Sequence, residues 1–412
     1  MEVKALIIKL NPQPRRIAYN LFILFVFFLP LYEAPKNIFN VCFVFLGGWI
    51  AIRHEHVIAS LRKRDPVLWV FLMLTLSPFF AGINSTFMEF EERFSNALNW
   101  SLMPLSAMIL ITLSSTKNQI KWILRVLASG TVIAVLQAFV IWKSGYPELN
   151  SVGHVNQSAL YLGFCLVPAG LLFLNRPSFG DTLLIVATLV AVFCYQAPAR
   201  SIVGLSVSIF VLSGFWLIYC FNRRYVKILV GSVVLGVVCI AAMVVAPASI
   251  FGPYQELKQE FDDRLSSPTN RYSHRDLLMN TALLVAGDSL TGFGLSSFKK
   301  ASQMEEIQAI VENKGGDWAS EQANFTTSSH GHNLFTNILV ERGWLGVCAI
   351  GIFFVVMLRF FLKKVRYESS QVGILTLMVI CLAGLGQSTL HVEHGQLAFI
   401  CLALCLKLET LD

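Results

Sequence analysis

Charged residues are scarce in this sequence of 412 residues. Asp, Glu, Lys and Arg make up 14% of the chain, whereas hydrophobic residues make up 55%, and the mean hydropathy is +0.63. Apolar runs of about 20 residues recur along the chain, which is the length that a helix needs to cross a bilayer. The scarcity of charge therefore excludes an ordinary soluble domain and predicts a polytopic membrane protein.

Long polar intervals are missing as well, with one exception between residues 247 and 343. The pattern predicts an all-α protein with about twelve transmembrane helices. The chain then divides into transmembrane spans 1–9 (1–246), a large helical loop or cap domain (247–343) and spans 10–12 (344–412). The predicted spans are 17–34, 37–53, 66–84, 97–115, 122–142, 157–175, 182–197, 201–221, 228–246, 344–362, 372–390 and 394–409.

The span interiors are almost devoid of charge. Ion-coupled transporters usually keep ionisable groups near the midplane, so transport is disfavoured.

The long loop also has no cysteine: all nine cysteines lie in apolar runs, which favours small buried hydrophobes over a disulfide framework or a metal site.

The net charge of +7 comes from Lys and Arg placed between the apolar runs, which points to membrane topology and away from nucleic acid. With the N-terminus inside, twenty of these residues fall on the cytoplasmic side. The other side has only Lys36, Arg93, Lys143 and Arg200 in its short connections. We therefore expect both termini in the cytoplasm, and the 247–343 loop and the 391–394 turn outside it.

Three arginines are candidate anion ligands at the non-cytoplasmic face. Arg200 opens the eighth span, and Arg271 and Arg275 share a face if their segment is helical, because they are four residues apart. A guanidinium binds two phosphate oxygens at once, so the three could form a clamp for a lipid-linked diphosphate. The alternative is that they snorkel to headgroups or form a solvated basic patch.

His332 is the candidate general base, because a neutral imidazole near pH 7 can take a proton from a sugar hydroxyl. The alternative is a surface residue or helix cap. Asn333, which follows it at the start of a helical run, is a secondary candidate. His330 and His332 lack a third ligand at a suitable spacing, so no metal and no cofactor is predicted.

His391, Glu393 and His394 lie on the neighbouring outer turn, between the last two predicted spans. The sequence favours a solvated turn there. The alternative is that one of these side chains supports the base.

Four segments together resemble the O-antigen ligase and polymerase superfamily of bacterial envelope glycosyltransferases. They are Ala-Pro-Ala-Arg200-Ser, Arg275 with the helix Asp276-Leu-Leu-Met-Asn-Thr-Ala-Leu-Leu284, the turn Thr291-Gly-Phe-Gly294, and His332-Asn-Leu-Phe-Thr-Asn-Ile-Leu-Val-Glu-Arg-Gly-Trp-Leu-Gly346. The likeness covers most of 156–359. The family often has a His-Pro pair shortly before its Gly-x-Gly turn, whereas here Asp288-Ser-Leu290 stands in its place.

The resemblance implies a GT-C-like fold in the bacterial inner membrane with a periplasmic active site. It implies an inverting, metal-independent transfer of glycan from undecaprenyl diphosphate to a sugar hydroxyl. Arg200 and Arg275 would correspond to the diphosphate-binding arginines, with Arg271 competing for the second role, and His332 to the catalytic base.

The predicted function is that of an O-antigen ligase, whose acceptor is lipid A-core. An O-antigen polymerase or a protein O-oligosaccharyltransferase would use the same donor. A polysaccharide or lipid transporter is the alternative from a different class.

Overall fold

The computed structural model describes residues 13–53, 65–83, 89–113, 115–142, 146–199, 201–223, 283, 289–297, 305–313, 315, 317–319, 333–385, 389–390 and 392–411. These residues form twelve α-helices and no strand. The helices are α1 (Gln13–Phe28), α2 (Glu33–Arg53), α3 (Pro66–Leu76, continued by a 3-10 turn, Ser77–Phe80), α4 (Phe90–Thr112), α5 (Lys117–Ile141), α6 (Val155–Leu174), α7 (Phe179–Ala199), α8 (Ile202–Arg223), α9 (Glu305–Asn313), α10 (Leu334–Lys363), α11 (Glu368–Gly384) and α12 (Val392–Leu411).

Eight of these helices are long and apolar enough to cross a membrane, and α3 and α11 are shorter apolar helices. The predicted fold class, an all-α polytopic membrane protein, is confirmed. Eleven of the twelve predicted spans coincide with helices. The remaining one, 228–246, lies outside the described residues, as does most of the 247–343 loop, so the span count and the division into domains stay predictions.

Helices α6 and α12 form the centre of the bundle. From Leu397 to Cys405, every side chain of α12 is at most 1% exposed. A helix that is apolar on all sides has to be buried on all sides, and α12 packs against α4, α5, α6 and α11. The bundle is therefore built around the last helix of the chain.

Peripheral helices carry exposed apolar stripes at helical spacing. On α7, the residues Leu183, Val186, Val190 and Phe193 are 37–56% exposed and recur every three or four positions. A continuous apolar stripe of this kind suits contact with lipid and would be unfavourable in water. The stripe shows which side of α7 faces away from the bundle.

Several helices begin earlier than their predicted spans, because hydropathy detects only the apolar part of a helix. Helix α4 begins at Phe90, seven residues before the predicted start at 97, with Glu91 and Glu92 in its first turn, where acidic residues interact favourably with the helix dipole. Helix α10 begins at Leu334, ten residues before the predicted start at 344. These additional polar turns form one end of the bundle and contain the site.

Candidate functional site

Helix α10 is sharply kinked at Gly343, where φ is 61° and ψ is −163°. The kink interrupts the helical hydrogen bonds, so the carbonyl oxygens of Val340 and Glu341 are available to accept from outside the helix. Val340 O accepts from Phe293 N, and Glu341 O accepts from Gly294 N, each at 2.9 Å. The Gly-x-Gly turn is thereby bonded to the kink.

Only glycine fits at the two points where the turn and the kink meet. A Cβ on Gly343 would lie 2.5 Å from Gly292 N, and a Cβ on Gly292 would lie 2.5 Å from Gly343 N. Both residues also have a positive φ, which other L-residues avoid. The Gly-x-Gly turn and the Gly-Trp-Leu-Gly segment, which are far apart in sequence, therefore pack as one unit.

The first turns of α4, together with Gly82 after the 3-10 turn, hold the 289–297 turn from its other side. Gly82 N donates a hydrogen bond to Thr291 O at 2.9 Å, and the guanidinium of Arg93 donates to Gly82 O. The side-chain amide of Asn96 donates to Leu295 O at 3.1 Å. The turn is thus fixed between α4 and α10.

A cavity of about 320 Å³ opens beside this unit. It lies between the N-terminal turns of α2, α4, α10 and α12, and the 289–297 turn completes its wall. Because these helices begin at the same end of the bundle, their polar first turns converge there. The polar lining consists of Glu33, Lys36, Asn37, Asn96, Asn99, Ser296, Asn337, Glu341, Arg342 and Gln396, and the apolar lining includes Trp100, Met103, Leu334, Ile338 and Leu390.

Two buried carboxylates at this end have defined partners. The ammonium of Lys36 donates to Oε1 of Glu393, and both side chains are almost fully buried, with 3% and 2% exposed. Oε1 of Glu341 accepts from Ser296 N at 2.9 Å. Buried ionised groups need such partners, and here they join α2 to α12 and α10 to the 289–297 turn.

Arg342 is different, because it contacts an aromatic ring. The residue is 4% exposed, and its guanidinium carbon lies 3.6 Å from the centre of the Trp100 ring. That ring is held by the hydrogen bond from its Nε1 to Leu390 O, at 3.1 Å. Nε and Nη1 of Arg342 have no hydrogen-bond partner within the described part of the chain.

Residues 183–351 match the family model described as O-antigen ligase. The resemblance to the O-antigen ligase superfamily is confirmed. The matched segment runs from α7 into α10 and contains both the Gly-x-Gly turn and the kink at Gly343. No curated protein matches the chain. The match supports an O-antigen ligase or polymerase type of activity in a multi-pass bacterial membrane protein.

Of the predicted site residues, the structure describes Asn333 and Glu393. Asn333 caps α10: its Oδ1 accepts from Phe335 N at 2.8 Å and from Thr336 N at 3.2 Å, and its Nδ2 donates to Leu385 O at 3.1 Å. These three bonds tie the start of α10 to the end of α11. The other predicted residues, Arg200, Arg271, Arg275, His330, His332 and His391, lie outside the described residues.

The prediction of a solvated turn at 391–394 is wrong for Glu393 and His394, which are buried. Glu393 is 2% exposed and His394 is 1% exposed. The reason is that α12 begins at Val392, so both side chains belong to the first turn of the most buried helix. Lys36 makes the burial of Glu393 possible, since it supplies the opposite charge.

Sequence reasoning missed Lys36, Trp100 and Arg342 as site residues, and it treated Lys36 only as a charge in a connection. A signal for them exists in the spacing of polar groups at the helix starts. Lys36 is three residues after Glu33, and Asn99 is three residues after Asn96, so each pair shares one face of its helix. Polar faces at the starts of several apolar helices indicate a shared polar site.

The structure has no group of three or more His, Cys, Asp or Glu that could hold a metal ion within the residues that it describes. Since His330 and His332 are outside those residues, the metal-free site stays a prediction.

Proposed function

We propose that this protein is an O-antigen ligase. It would transfer O-polysaccharide from undecaprenyl diphosphate to a sugar hydroxyl of lipid A-core at the periplasmic face of the inner membrane. One observation carries the proposal: the O-antigen ligase match over 183–351 spans all four residues that the sequence analysis assigns to the reaction, Arg200, Arg271, Arg275 and His332.

In the proposed reaction, the hydroxyl oxygen of the acceptor attacks the anomeric carbon opposite the diphosphate. The new C–O bond forms as the bond to the diphosphate oxygen breaks, so the configuration inverts and undecaprenyl diphosphate leaves. Arg200 and Arg275, with Arg271 as the competing second arm, would stabilise the negative charge on the leaving group. Fixed cations directed at developing charge contribute strongly to such transfers, and no metal is required.

His332 would accept the proton of the attacking hydroxyl. Its neighbour Asn333 supports this role, because the side chain of Asn333 is held by α10 and α11 through three hydrogen bonds. Leu334, two residues after His332, lines the cavity. A base attached to a rigid helix start keeps its orientation better than one in an untethered loop.

Deletion of the gene, followed by gel analysis of lipopolysaccharide, tests the proposal. A strain without a ligase would lose all polymer on lipid A-core and accumulate the lipid-linked polymer. A single repeat unit retained on the core would identify a polymerase. Normal lipopolysaccharide would contradict both activities.

Purified variants test the residue roles. We expect His332→Ala to lower the transfer rate by roughly 10²- to 10⁴-fold. Arg275→Ala should lower it by roughly 10²- to 10³-fold. His391→Ala, a histidine outside the proposed machinery, is the matched control and should retain activity. Wild-type rates for His332→Ala in a monodisperse preparation would remove the base assignment.

The proposed topology places both termini in the cytoplasm and the 247–343 cap domain in the periplasm. Alkaline phosphatase is active only in the periplasm. A fusion within 247–343 should therefore be active, and a fusion at the C-terminus should not. The opposite pattern would place the active site on the wrong side for a lipid-linked donor.

A further inference from the structure

The cavity beside the glycine unit is lined by a buried guanidinium that has unused hydrogen-bond donors. Arg342 lines this cavity and is 4% exposed, and its Nε and Nη1 have no hydrogen-bond partner within the described residues. The carboxylate of the neighbouring Glu341 is directed to Ser296 N, and Lys36 is paired with Glu393. Of the two cations in the lining, Lys36 thus has a carboxylate partner, whereas Nε and Nη1 of Arg342 have no acceptor in the described part of the chain.

The contact with Trp100 does not offset the burial of this charge. The attraction between a cation and an indole ring is weak even when both groups are desolvated. The cost of removing a guanidinium-sized ion from water is considerably larger, even after the protein relaxes. Burial of a cation at a cost that its ring contact does not offset is expected where the side chain is preorganised for a ligand of opposite charge. An oxyanion suits the planar guanidinium best.

The rest of the lining is suited to hydroxyl groups. Asn37 and Asn99 are exposed at the cavity, and Gln396 is 9% exposed with no hydrogen-bond partner for its Oε1 in the described chain. An amide side chain both donates and accepts, which is what a sugar hydroxyl requires. The volume of about 320 Å³ lies at the lower end of the range for small-molecule sites.

We propose that this cavity binds an acidic sugar residue of a glycan substrate, a uronate or a sugar phosphate, with Arg342 as the counter-ion of its oxyanion. The amides of Asn37, Asn99 and Gln396 would bind its hydroxyls. The assignment of the sugar to a glycan substrate rests on the proposed function, whereas the binding of an acidic sugar can be measured without any transfer.

Binding to the full-length protein in detergent micelles tests the proposal, with saturation-transfer NMR and four probes. The probes are glucuronate, glucose 6-phosphate, glucose and inorganic pyrophosphate. We expect the first two to bind the wild type more tightly than glucose does. Arg342→Gln should weaken their binding by roughly 10- to 100-fold, as expected for loss of a charge-assisted hydrogen bond, and should leave glucose within about twofold.

Two variants control for general effects of charge. Arg359→Gln removes an exposed guanidinium from the same helix at a position that does not line the cavity, and it should bind all four probes like the wild type. Arg342→Lys keeps the charge without the planar fork and should keep part of the preference for acidic sugars. If Arg342→Gln does not fold, Arg342→Lys and the preference of the wild type still decide the question.

Three results would overturn the assignment. One is equal affinity of the wild type for glucose and for both acidic sugars. Another is an unchanged preference in Arg342→Gln. The third is displacement of glucuronate by pyrophosphate with loss of pyrophosphate binding in Arg342→Gln, which would group Arg342 with the diphosphate ligands. Glucuronate binding is also measured for His332→Ala. Because this binding does not require transfer, its result separates failure of the acidic-sugar site from failure of the transferase proposal.

Discussion

Asp181 and Arg342 are buried charges at opposite ends of the helix bundle, and their surroundings differ. Helix α4 begins at the cavity and ends near the start of α5. At that second end, the carboxylate of Asp181 on α7 is 2% exposed and has several hydrogen-bond donors around it. It accepts from Arg125 Nε at 2.6 Å, from Lys121 Nζ at 3.1 Å and from the backbone N and hydroxyl of Ser178 at 2.8 Å each. At the cavity end, the equally buried Arg342 has a ring beside it.

The difference indicates what each charge is for. A buried carboxylate that accepts several hydrogen bonds holds helices together and has no acceptor position left for a ligand. A buried cation whose donors are not used costs stability, and that cost is tolerated where function requires it. The Asp181 cluster therefore belongs to the architecture, whereas Arg342 belongs to the site. Four sets of substitutions test this comparison.

The largest effect is expected from Gly343→Val. A side chain there would meet the 289–297 turn and would have to adopt a positive φ. Strain and overlap together should lower the free energy of unfolding by on the order of 4 kcal/mol, measured by unfolding in SDS. Gly351→Ala is the matched control, because Gly351 lies on the same helix and an added Cβ would meet no neighbouring atom within 4 Å beyond the adjacent helix backbone. Equal effects of the two substitutions would show that the kink is not fixed by packing.

Lys36→Met should have the next largest effect, because it leaves the carboxylate of Glu393 buried without its cation. We expect a loss of about 3 kcal/mol in the same unfolding assay. The double variant Lys36→Met/Glu393→Gln should recover most of that loss, since neither charge remains. A double variant as unstable as the single one would mean that the ion pair is not the source of the effect.

Arg125→Met and Arg342→Met compare the two ends directly. The first variant removes the strongest contact of Asp181, while Lys121 and Ser178 remain, and should cost about 1–2 kcal/mol. The second should change stability by at most about 1 kcal/mol in either direction, because the lost ring contact is offset by removal of an unmatched charge. A larger loss for Arg342→Met than for Arg125→Met would reverse the assignment of the two ends.

The smallest effect is expected from the helix caps. Asn333→Ala removes the cap of α10 and Thr116→Ala removes the capping box of α5, and each should cost about 1 kcal/mol. Only Asn333→Ala should also lower the transfer rate, because Asn333 follows His332. Asn333→Asp keeps the capping oxygen and should be nearly as stable as the wild type. A similar fall in transfer for Thr116→Ala would show that stability alone limits the rate.

Hydropathy was sufficient to locate the helices but not their polar first turns. The predicted tenth span starts at 344, which is the position directly after the kink, yet the helix begins at Leu334. Hydropathy averaged over a window of residues detects the part of a helix that contacts lipid. The part before Gly343 is instead stabilised by hydrogen bonds with the 289–297 turn, which join residues at least 45 positions apart in the chain.

The Gly-x-Gly turn and the Gly-Trp-Leu-Gly segment illustrate the same limit for the site. Each was visible in the sequence as a short motif, and neither indicated the other. Only the packing of Gly292 against Gly343 shows that the two motifs form one unit. The pairing of Lys36 with Glu393 joins residues 357 positions apart, and no local pattern in the sequence indicates it.

The amino-acid sequence by itself determined that this is an all-helical membrane protein, where its apolar helices lie, and that charge is confined to the helix ends. These properties depend on the hydropathy and charge of residues that are neighbours in the chain, so the sequence is sufficient to predict them. The tertiary structure decided which of the terminal charges in the described residues neutralise one another, and it placed Arg342 beside a cavity with two donors unused. That outcome depends on the approach of distant helix ends, because the energy of a buried charge is set by the groups around it in space.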